Sequence, residues 1–187
     1  MTRSEATERL VGRLRDHAVV ASLGHPAYDL FVAGDRPENF YTWGSMGLAS
    51  SIALGVALAR PERRVLALDG DGSLLLNLGS LATIGSYQPP NLVVLVWDNE
   101  EYGTTGGQPT ATSRGADLAA AARAMGLDAV TVRTPDELDS ALDRVGQLRQ
   151  AAVIVAKVVE SAPLGRPPLD CLFIKQRFMA AIGAPER

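Results

Sequence analysis

The chain has 187 residues, a hydrophobic content of 47% and a net charge of −3, from 18 basic and 21 acidic side chains. This length fits one domain with a proper core, and the slightly acidic balance excludes the basic surface of a typical nucleic-acid-binding protein. The single cysteine, Cys171, excludes an internal disulfide framework and a cysteine-ligated iron–sulfur cluster, and it fits a reducing cytoplasm. Residues 1–17 are charged throughout, unlike a signal peptide, and no apolar run is long enough to span a membrane.

Strand and helix patterns alternate along the chain, which predicts an α/β fold: a single-domain parallel sheet flanked by helices on both faces. The first segment, residues 2–17, is expected to form an amphipathic helix that covers the sheet. Short apolar runs predict strands over residues 18–21, 40–42, 65–68, 92–97, 129–132 and 152–159. Further helices are predicted over residues 27–32, 48–59, 73–87, 115–125 and 137–147.

The C-terminal part of the chain departs from this alternation. A proline-containing stretch, residues 161–168, is followed by a helical pattern over residues 169–182. We therefore divide the chain into a domain of residues 1–160 and a tail of residues 161–187. The tail helix is expected to pack on the domain or on a partner chain.

Polar loops follow two of the predicted strands, and both carry oxygen ligands. The run 65–68 leads into a Gly-Asp-Gly turn that contains Asp71, and the run 92–97 leads into Asp98-Asn99. Ligands of open parallel sheets bind just beyond the carboxyl ends of the strands. Asp71 and Asn99, which are 28 residues apart, are therefore expected to face one ligand, and their hard oxygens suit Mg²⁺ shared with a diphosphate.

The neighbours of Asp71 suit the same kind of ligand. Gly70 and Gly72 let the backbone turn sharply and approach a ligand closely. Ser73 is predicted to stand at a helix N-terminus, where free N–H groups attract phosphate. Taken alone, the Gly-Asp-Gly tripeptide is equally explained as a strand-to-helix turn, and it is the second loop that favours a binding site.

Three other loops are expected near the same edge of the sheet. His25, in the Ser22–Pro26 loop, is either an acid–base group or an ordinary helix-entry residue. Met46, after Gly44-Ser45, is either a cofactor contact or core filler, since methionine fills irregular gaps. Residues 103–114 are rich in Gly, Thr, Gln and Pro, which indicates a mobile loop facing the site.

The pair Gly70-Asp71-Gly72 and Asp98-Asn99-x-x-Tyr102-Gly103 resembles the cofactor motif of the thiamine diphosphate-dependent decarboxylases. The resemblance implies a Mg²⁺ ion held by Asp71, Asn99 and the backbone carbonyl of Glu101. The family often has Asn where this chain has Asp98. Because the second residue of the pair is the ligand, this departure is not expected to remove metal binding.

The same resemblance implies further cofactor contacts. The Gly44 carbonyl would accept a hydrogen bond from the 4′-amino group of the cofactor, and Met46 would wedge between its two rings and enforce a bent shape. Met46 and His25 are the residues expected to act in catalysis. The complete set of expected cofactor contacts is Gly24, His25, Gly44, Ser45, Met46, Gly70, Asp71, Gly72, Ser73, Asn99, Glu101, Tyr102, Gly103 and Thr104.

Residues 39–57, 70–85 and 98–110 together are similar to the sulfopyruvate and phosphonopyruvate decarboxylases, and in particular to a β subunit of that family. The similarity covers residues 19–159. It implies the diphosphate-side domain of a thiamine diphosphate-binding fold and decarboxylation of a 2-oxo acid with a 3-sulfonate or 3-phosphonate group. It also implies a hetero-oligomer, in which a separate α subunit carries the pyrimidine-side domain and its catalytic glutamate.

Three other functions share some of these sequence features. A subunit of an acetolactate-synthase-like carboligase would bind the same cofactor but join the activated aldehyde to a second 2-oxo acid. A non-catalytic cofactor-binding or regulatory subunit belongs to a different class, and the intact Asp71/Asn99 and Gly44/Met46 pairs argue against it. A subunit of a 2-oxo acid oxidoreductase is less consistent with a single cysteine.

Overall fold

A six-stranded parallel sheet forms the centre of the computed structural model, which describes residues 1–147, 149–162 and 164–184. The strand order is β2-β1-β3-β4-β8-β7, and every neighbouring pair is parallel. The strands are β1 Ala18–Ala21, β2 Asn39–Tyr41, β3 Val65–Gly70, β4 Leu92–Asp98, β7 Asp128–Val132 and β8 Ala152–Lys157. The predicted parallel α/β fold is confirmed.

Helices cover both faces of this sheet. They are α1 Arg3–Val11, α2 His25–Gly34, α3 Ala49–Ala59, α4 Asp71–Leu76, α5 Gly79–Tyr87, α6 Leu118–Ala124, α7 Pro135–Val145 and α8 Cys171–Ala181. Buried residues of α3, α5 and α6 belong to one hydrophobic cluster, and those of α1, α2 and α7 to the other.

The central strands explain why there are two clusters. In β3, Val65 and Ala67 pack into the first cluster, whereas Leu66 and Leu68 pack into the second. Successive side chains of a strand point to opposite faces, so a strand covered on both sides must be apolar throughout. This is why the short apolar runs in the sequence predicted strands.

The predicted helix over residues 73–87 is wrong in its continuity, because two helices, α4 and α5, occupy this region. Asn77 ends α4 with φ −135° and ψ 50°, outside helical geometry. Its side-chain amide donates to the Gly47 carbonyl at 2.9 Å. A side chain bound to a neighbouring loop thus marks the break, and the apolar spacing of the sequence contains no sign of it.

Several element boundaries shift by a few residues, and two differences from the sequence prediction are larger. Helix α1 stops at Val11, with Gly12 at its C-cap, although the predicted helix continued to residue 17. Residues 103–114 include a regular structure: Gln108–Pro109 (β6) pairs antiparallel with Glu101–Tyr102 (β5), and a 3₁₀ helix follows over Ala111–Arg114. The polar composition of this loop hid the hairpin.

The tail helix α8 packs against the β2 edge of the sheet. The rings of Phe178 and Phe40 lie 5.3 Å apart, and Arg177 forms an ion pair with Asp35 at 2.8 Å. Of the predicted tail, Pro163 and residues 185–187 lie outside the described residues, and the division at residue 160 stays a prediction. None of the helices in the described part of the chain combines the length and apolar character needed to cross a bilayer.

Candidate functional site

A cavity of about 310 Å³ opens at the carboxyl ends of the central strands. Ser22 follows β1, Asp71 follows β3 and Asn99 follows β4, and all three line the cavity. Within the sheet, β2 lies on one side of β1 and β3 lies on the other side, so the order of the strands reverses at β1. Such a reversal of strand order opens a crevice in which α/β proteins bind ligands.

Most of the residues predicted from the sequence meet in this cavity. Those that line it are His25, Met46, Gly70, Asp71, Gly72, Ser73, Asn99, Glu101, Tyr102, Gly103 and Thr104. Gly24, Gly44 and Ser45 are not among the lining residues. Gly24 nevertheless lies directly behind Thr104, because a Cβ at Gly24 would fall 2.4 Å from the Thr104 hydroxyl oxygen. The predicted role of each residue toward a ligand stays a prediction.

Asp71 is fixed by two hydroxyl groups that the sequence analysis did not identify. Its side chain is buried, and Oδ2 accepts hydrogen bonds from Thr110 at 2.5 Å and from Thr112 at 3.0 Å. Burial raises the pKa of Asp71, and the Thr110 hydroxyl partly opposes this effect. Because both threonines occupy Oδ2, Oδ1 is the oxygen available to a cation.

Asp98 extends this arrangement toward the next strand. Thr112 also contacts Asp98 Oδ1 at 2.8 Å, and Lys157 lies 2.8 Å from Asp98 Oδ2. Asp98 and Lys157 are direct partners in the β4–β8 register. The buried Asp98 carboxylate is therefore charge-compensated from a neighbouring strand, and its threonine contact supports the loop that holds Asp71.

The side-chain amide of Asn99 has a partner at each end. Its Nδ2 donates to Glu160 Oε2 at 2.7 Å, while the Glu101 backbone N–H approaches Oδ1 at 3.5 Å. Glu160 follows strand β8, so the fourth central strand also contributes to the site. In this orientation the amide oxygen points away from Glu160.

A buried arginine contacts two carboxylates at the edge of the site. Arg3 is 2% exposed, yet it lines the cavity, and its Nε donates to Asp29 Oδ2 at 2.7 Å. The rest of its guanidinium contacts Glu160 Oε2 and the carbonyl oxygen of Ser161. Burial raises the pKa of Asp29, and Arg3 opposes this rise. The contacts of Arg3 with Asp29 and Glu160 therefore support one side of the cavity.

His25 contacts the same cluster. Its Nδ1 lies 2.8 Å from Glu160 Oε1, although the geometry does not meet that of a hydrogen bond. The imidazole is mostly covered and stands at the start of α2. The His25 side chain lines the cavity, with Nδ1 beside Glu160.

Ser73 lies at the N-terminus of a helix, as predicted. Helix α4 begins at Asp71, and Ser73 lies within its first turn. The Ser73 hydroxyl accepts from the Gly47 N–H at 3.0 Å and contacts the Ser22 hydroxyl at 2.9 Å. Its side chain ties three loops together, and only its backbone N–H remains suited to an anion.

Two further features of the site are the buried Asp69 carboxyl group and the contact between Gly72 and Tyr102. Burial raises the pKa of Asp69 to about 6, although the Ser73 and Ser22 hydroxyls act against this effect. At Gly72, a Cβ would fall 2.3 Å from the Tyr102 ring, so Tyr102 packs directly on the first turn of α4. Only glycine allows this close approach between the two predicted loops.

Five residues that support the site were not predicted from the sequence: Arg3, Asp29, Thr110, Thr112 and Glu160. A usable signal existed for Glu160, which follows an apolar strand just as Asp71 and Asn99 do. Arg3 and Asp29 lie on helices, and nothing in their spacing along the sequence distinguishes them from other charged residues.

A larger cavity, of about 450 Å³, lies at the opposite ends of the strands near Val65 and Asn91 and contains none of the predicted site residues.

The implied donor set is compatible with a divalent cation. It comprises one carboxylate, one amide oxygen and one backbone carbonyl, so most of its ligands are not titratable. In the described residues, no group of three or more His, Cys, Asp and Glu side chains is arranged to hold a metal ion. A set of this composition would need further oxygen ligands from a bound diphosphate or water, as is usual for Mg²⁺.

The fold and this site define a cofactor-binding domain, and comparison with known proteins identifies its class. Residues 27–156 match the family described as thiamine pyrophosphate enzyme, C-terminal TPP binding domain, and the chain belongs to that family. Its relatives place it among the thiamine diphosphate-dependent decarboxylases.

Individual relatives narrow this class. The chain is 40% identical to the sulfopyruvate decarboxylase subunit beta of Methanocaldococcus jannaschii over 168 residues, which cover 88% of this chain and 87% of that subunit. It is 42% identical to the phosphonopyruvate decarboxylase of Streptomyces viridochromogenes over 189 residues, covering 98% of this chain but 47% of that enzyme. A thiamin diphosphate-dependent enzyme from Mycobacterium smegmatis superimposes with a TM-score of 0.75 at 26% identity, covering 86% of this chain and 32% of that one.

Proposed function

We propose that this chain is the β subunit of a Mg²⁺- and thiamine diphosphate-dependent decarboxylase that acts on 3-sulfopyruvate or 3-phosphonopyruvate. The observation that carries the proposal is the meeting of Asp71, Asn99 and the first turn of α4 in one cavity. The products would be the corresponding aldehyde and CO₂. Sulfonate and phosphonate are both tetrahedral anions, so the proposal covers both substrates.

In this proposal Asp71, Asn99 and the Glu101 carbonyl hold Mg²⁺. Asp71 keeps Oδ1 available because the threonine contacts are made to Oδ2. The N–H groups in the first turn of α4 would be available to the diphosphate, and the helix dipole would add to their attraction. Burial of Asp71 raises the cost of its charge, and a bound cation would offset that cost.

The chain's own residues would orient and separate the reacting groups. When bound, thiamine diphosphate supplies the electron sink that allows CO₂ to leave a 2-oxo acid. Met46 is 38% exposed at the cavity and would shape the bound cofactor. His25 lines the cavity and would carry a proton near the reacting carbon. The Thr104 and Thr105 hydroxyls line the cavity and would donate to the substrate anion.

Coverage of the relatives supports a separate partner subunit. The same segment that fills most of the sulfopyruvate decarboxylase subunit corresponds to about half of the phosphonopyruvate decarboxylase chain. In the proposal, an α subunit supplies the pyrimidine-side domain and its glutamate. Exposed apolar side chains near the cavity, Met46, Leu48 and Leu76, would form part of the contact surface.

Reconstitution of the complex tests this function. The chain, a candidate α subunit and their mixture are assayed with sulfopyruvate and with phosphonopyruvate, and both CO₂ and aldehyde are measured. We expect turnover only in the mixture, and we expect chelation of Mg²⁺ to abolish it. Substantial turnover by the chain alone would contradict the split site, and condensation of pyruvate with a second 2-oxo acid would indicate a carboligase.

Replacement of Met46 is expected to separate catalysis from cofactor binding. In Met46→Ala the wedge between the two cofactor rings is lost, while the proposed diphosphate anchors are untouched. We expect kcat to fall by about 10–100-fold, the scale of misplacing a reacting group, with little change in cofactor affinity. Steady-state kinetics and calorimetry of the complex give both values, and unchanged kcat would reduce Met46 to a packing residue.

A further inference from the structure

Glu160 stands between a buried cation and two residues of the proposed cofactor site. Its Oε2 accepts from Asn99 Nδ2 at 2.7 Å and contacts the Arg3 guanidinium. Its Oε1 lies 2.8 Å from His25 Nδ1. No role was assigned to Glu160 from the sequence. It lies shortly after the end of β8, so β8 is the fourth central strand that leads into the site.

We propose that Glu160 is a positioning residue that fixes which end of the Asn99 amide faces the cavity. This inference rests on the proposed function, in which the Asn99 oxygen binds Mg²⁺. An amide has a donor end and an acceptor end, and a cation accepts only the oxygen. A carboxylate beside the amide accepts only from its NH₂ group, so Glu160 turns the oxygen of Asn99 away from itself.

The opposite orientation of Asn99 would be unfavourable twice. It would place Oδ1 against the carboxylate of Glu160, at a distance where two acceptors repel. It would also present the NH₂ group to the cation. Residues that orient metal ligands in this way tune metal affinity, and their loss typically costs about 10–100-fold.

Arg3 explains why Glu160 is a firm reference point. The Arg3 side chain is 2% exposed and is held by Asp29 at 2.7 Å on its other edge. The Arg3 guanidinium and the Asn99 amide both contact Oε2 of Glu160, so the position of the carboxylate is fixed by two partners. Arg3 of helix α1, which is itself held by Asp29 of helix α2, and Asn99, which follows strand β4, therefore hold this carboxylate.

Three variants separate orientation of the Asn99 amide from two simpler roles of Glu160, which are an effect of its charge alone and structural support of the Arg3 cluster. Glu160→Met removes the acceptor while keeping the length of the side chain. Glu160→Gln keeps an acceptor oxygen for Arg3 and Asn99 but removes the charge. Asp29→Leu removes the other carboxylate partner of Arg3, and Asp29 has no hydrogen bond to Asn99 among the described residues. Mg²⁺ affinity is measured by calorimetry on the full chain in its assembled complex at saturating thiamine diphosphate, and stability by denaturant unfolding.

We expect Glu160→Met to weaken Mg²⁺ binding by about 10–100-fold, and Glu160→Gln to retain most of the affinity. Asp29→Leu is expected to lower stability without a matching loss of Mg²⁺ affinity. Equal losses in Glu160→Met and Glu160→Gln would mean that only the charge matters. Parallel losses in Glu160→Met and Asp29→Leu would mean that the cluster is merely structural. Either result overturns the inference.

A donor–acceptor swap provides a second measurement in variants of nearly unchanged size. Asn99→Asp alone brings two carboxylates to hydrogen-bond distance and should bind Mg²⁺ poorly. Adding Glu160→Gln supplies a donor to the new carboxylate, so the double variant should bind Mg²⁺ more tightly than Asn99→Asp. A further loss in the double variant would contradict positioning. Failure of the wild-type complex to bind Mg²⁺ would instead overturn the proposed function, and the inference with it.

Discussion

Replacing Asp71 with alanine is expected to weaken Mg²⁺-dependent binding of thiamine diphosphate by more than about 100-fold. Residues that only support a metal ligand already contribute up to about that factor, and Asp71 is the single carboxylate of the proposed ligand set. Its removal leaves the charges of the cation and the diphosphate poorly matched. The buried hydroxyls of Thr110 and Thr112 also lose their shared acceptor.

The measurement is calorimetric titration of the assembled complex with thiamine diphosphate, with and without Mg²⁺. Asp136→Ala is the matched control, because Asp136 is likewise a first-turn carboxylate, in α7, and does not line the cavity. The control should keep wild-type affinity. Near-wild-type affinity in Asp71→Ala itself would refute the metal assignment, whereas equal loss in both variants would point to a general effect of charge.

Arg3→Met is expected to lower the free energy of unfolding by about 3–5 kcal/mol, the usual result of removing one partner from a buried ion pair. Arg3 is 2% exposed, and its partner Asp29 is 5% exposed at the side chain. Without the guanidinium, the buried Asp29 carboxylate has lost its cation. Glu160 loses one of the groups that hold it in place.

Arg9 on the same helix provides the control for Arg3. It also pairs with two carboxylates, Glu5 at 3.7 Å and Asp139 at 2.9 Å, but its side chain is 35% exposed. Pairs of this kind contribute about 1 kcal/mol or less, so Arg9→Met should cost little. Denaturant unfolding of both variants gives the comparison. Similar losses would show that burial does not set the strength of the Arg3 cluster.

Some residues of the candidate site could be predicted from the sequence, and others could not. Asp71 and Asn99 each follow an apolar strand, and parallel strands must end at one edge of the sheet, so their meeting followed from local patterns. Gly72 was predicted to let the backbone come close to a ligand, whereas the group that packs against it in the structure is the Tyr102 ring. These are consequences of strand period, chain direction and turn chemistry, which neighbouring residues encode.

The residues around them depend on distances that no local pattern encodes. Arg3 and Glu160 are separated by 157 positions and meet only because α1 packs beside the end of β8. Thr110 and Thr112 looked like members of a mobile polar loop, yet the β5–β6 hairpin folds that loop back onto Asp71. The break at Asn77 likewise coincides with a hydrogen bond to Gly47 in a distant loop.

The sequence by itself therefore determined the parallel α/β fold, the edge of the sheet that carries the site, and the family. Apolar periodicity and the chemistry of short loops are local properties, so neighbouring residues in the sequence are enough to identify them. Only the tertiary structure decided which side chains hold Asp71 and Asn99 in place. A buried charge can be stabilised by any partner that packing brings within hydrogen-bond distance, and that choice is made by the assembled sheet and helices.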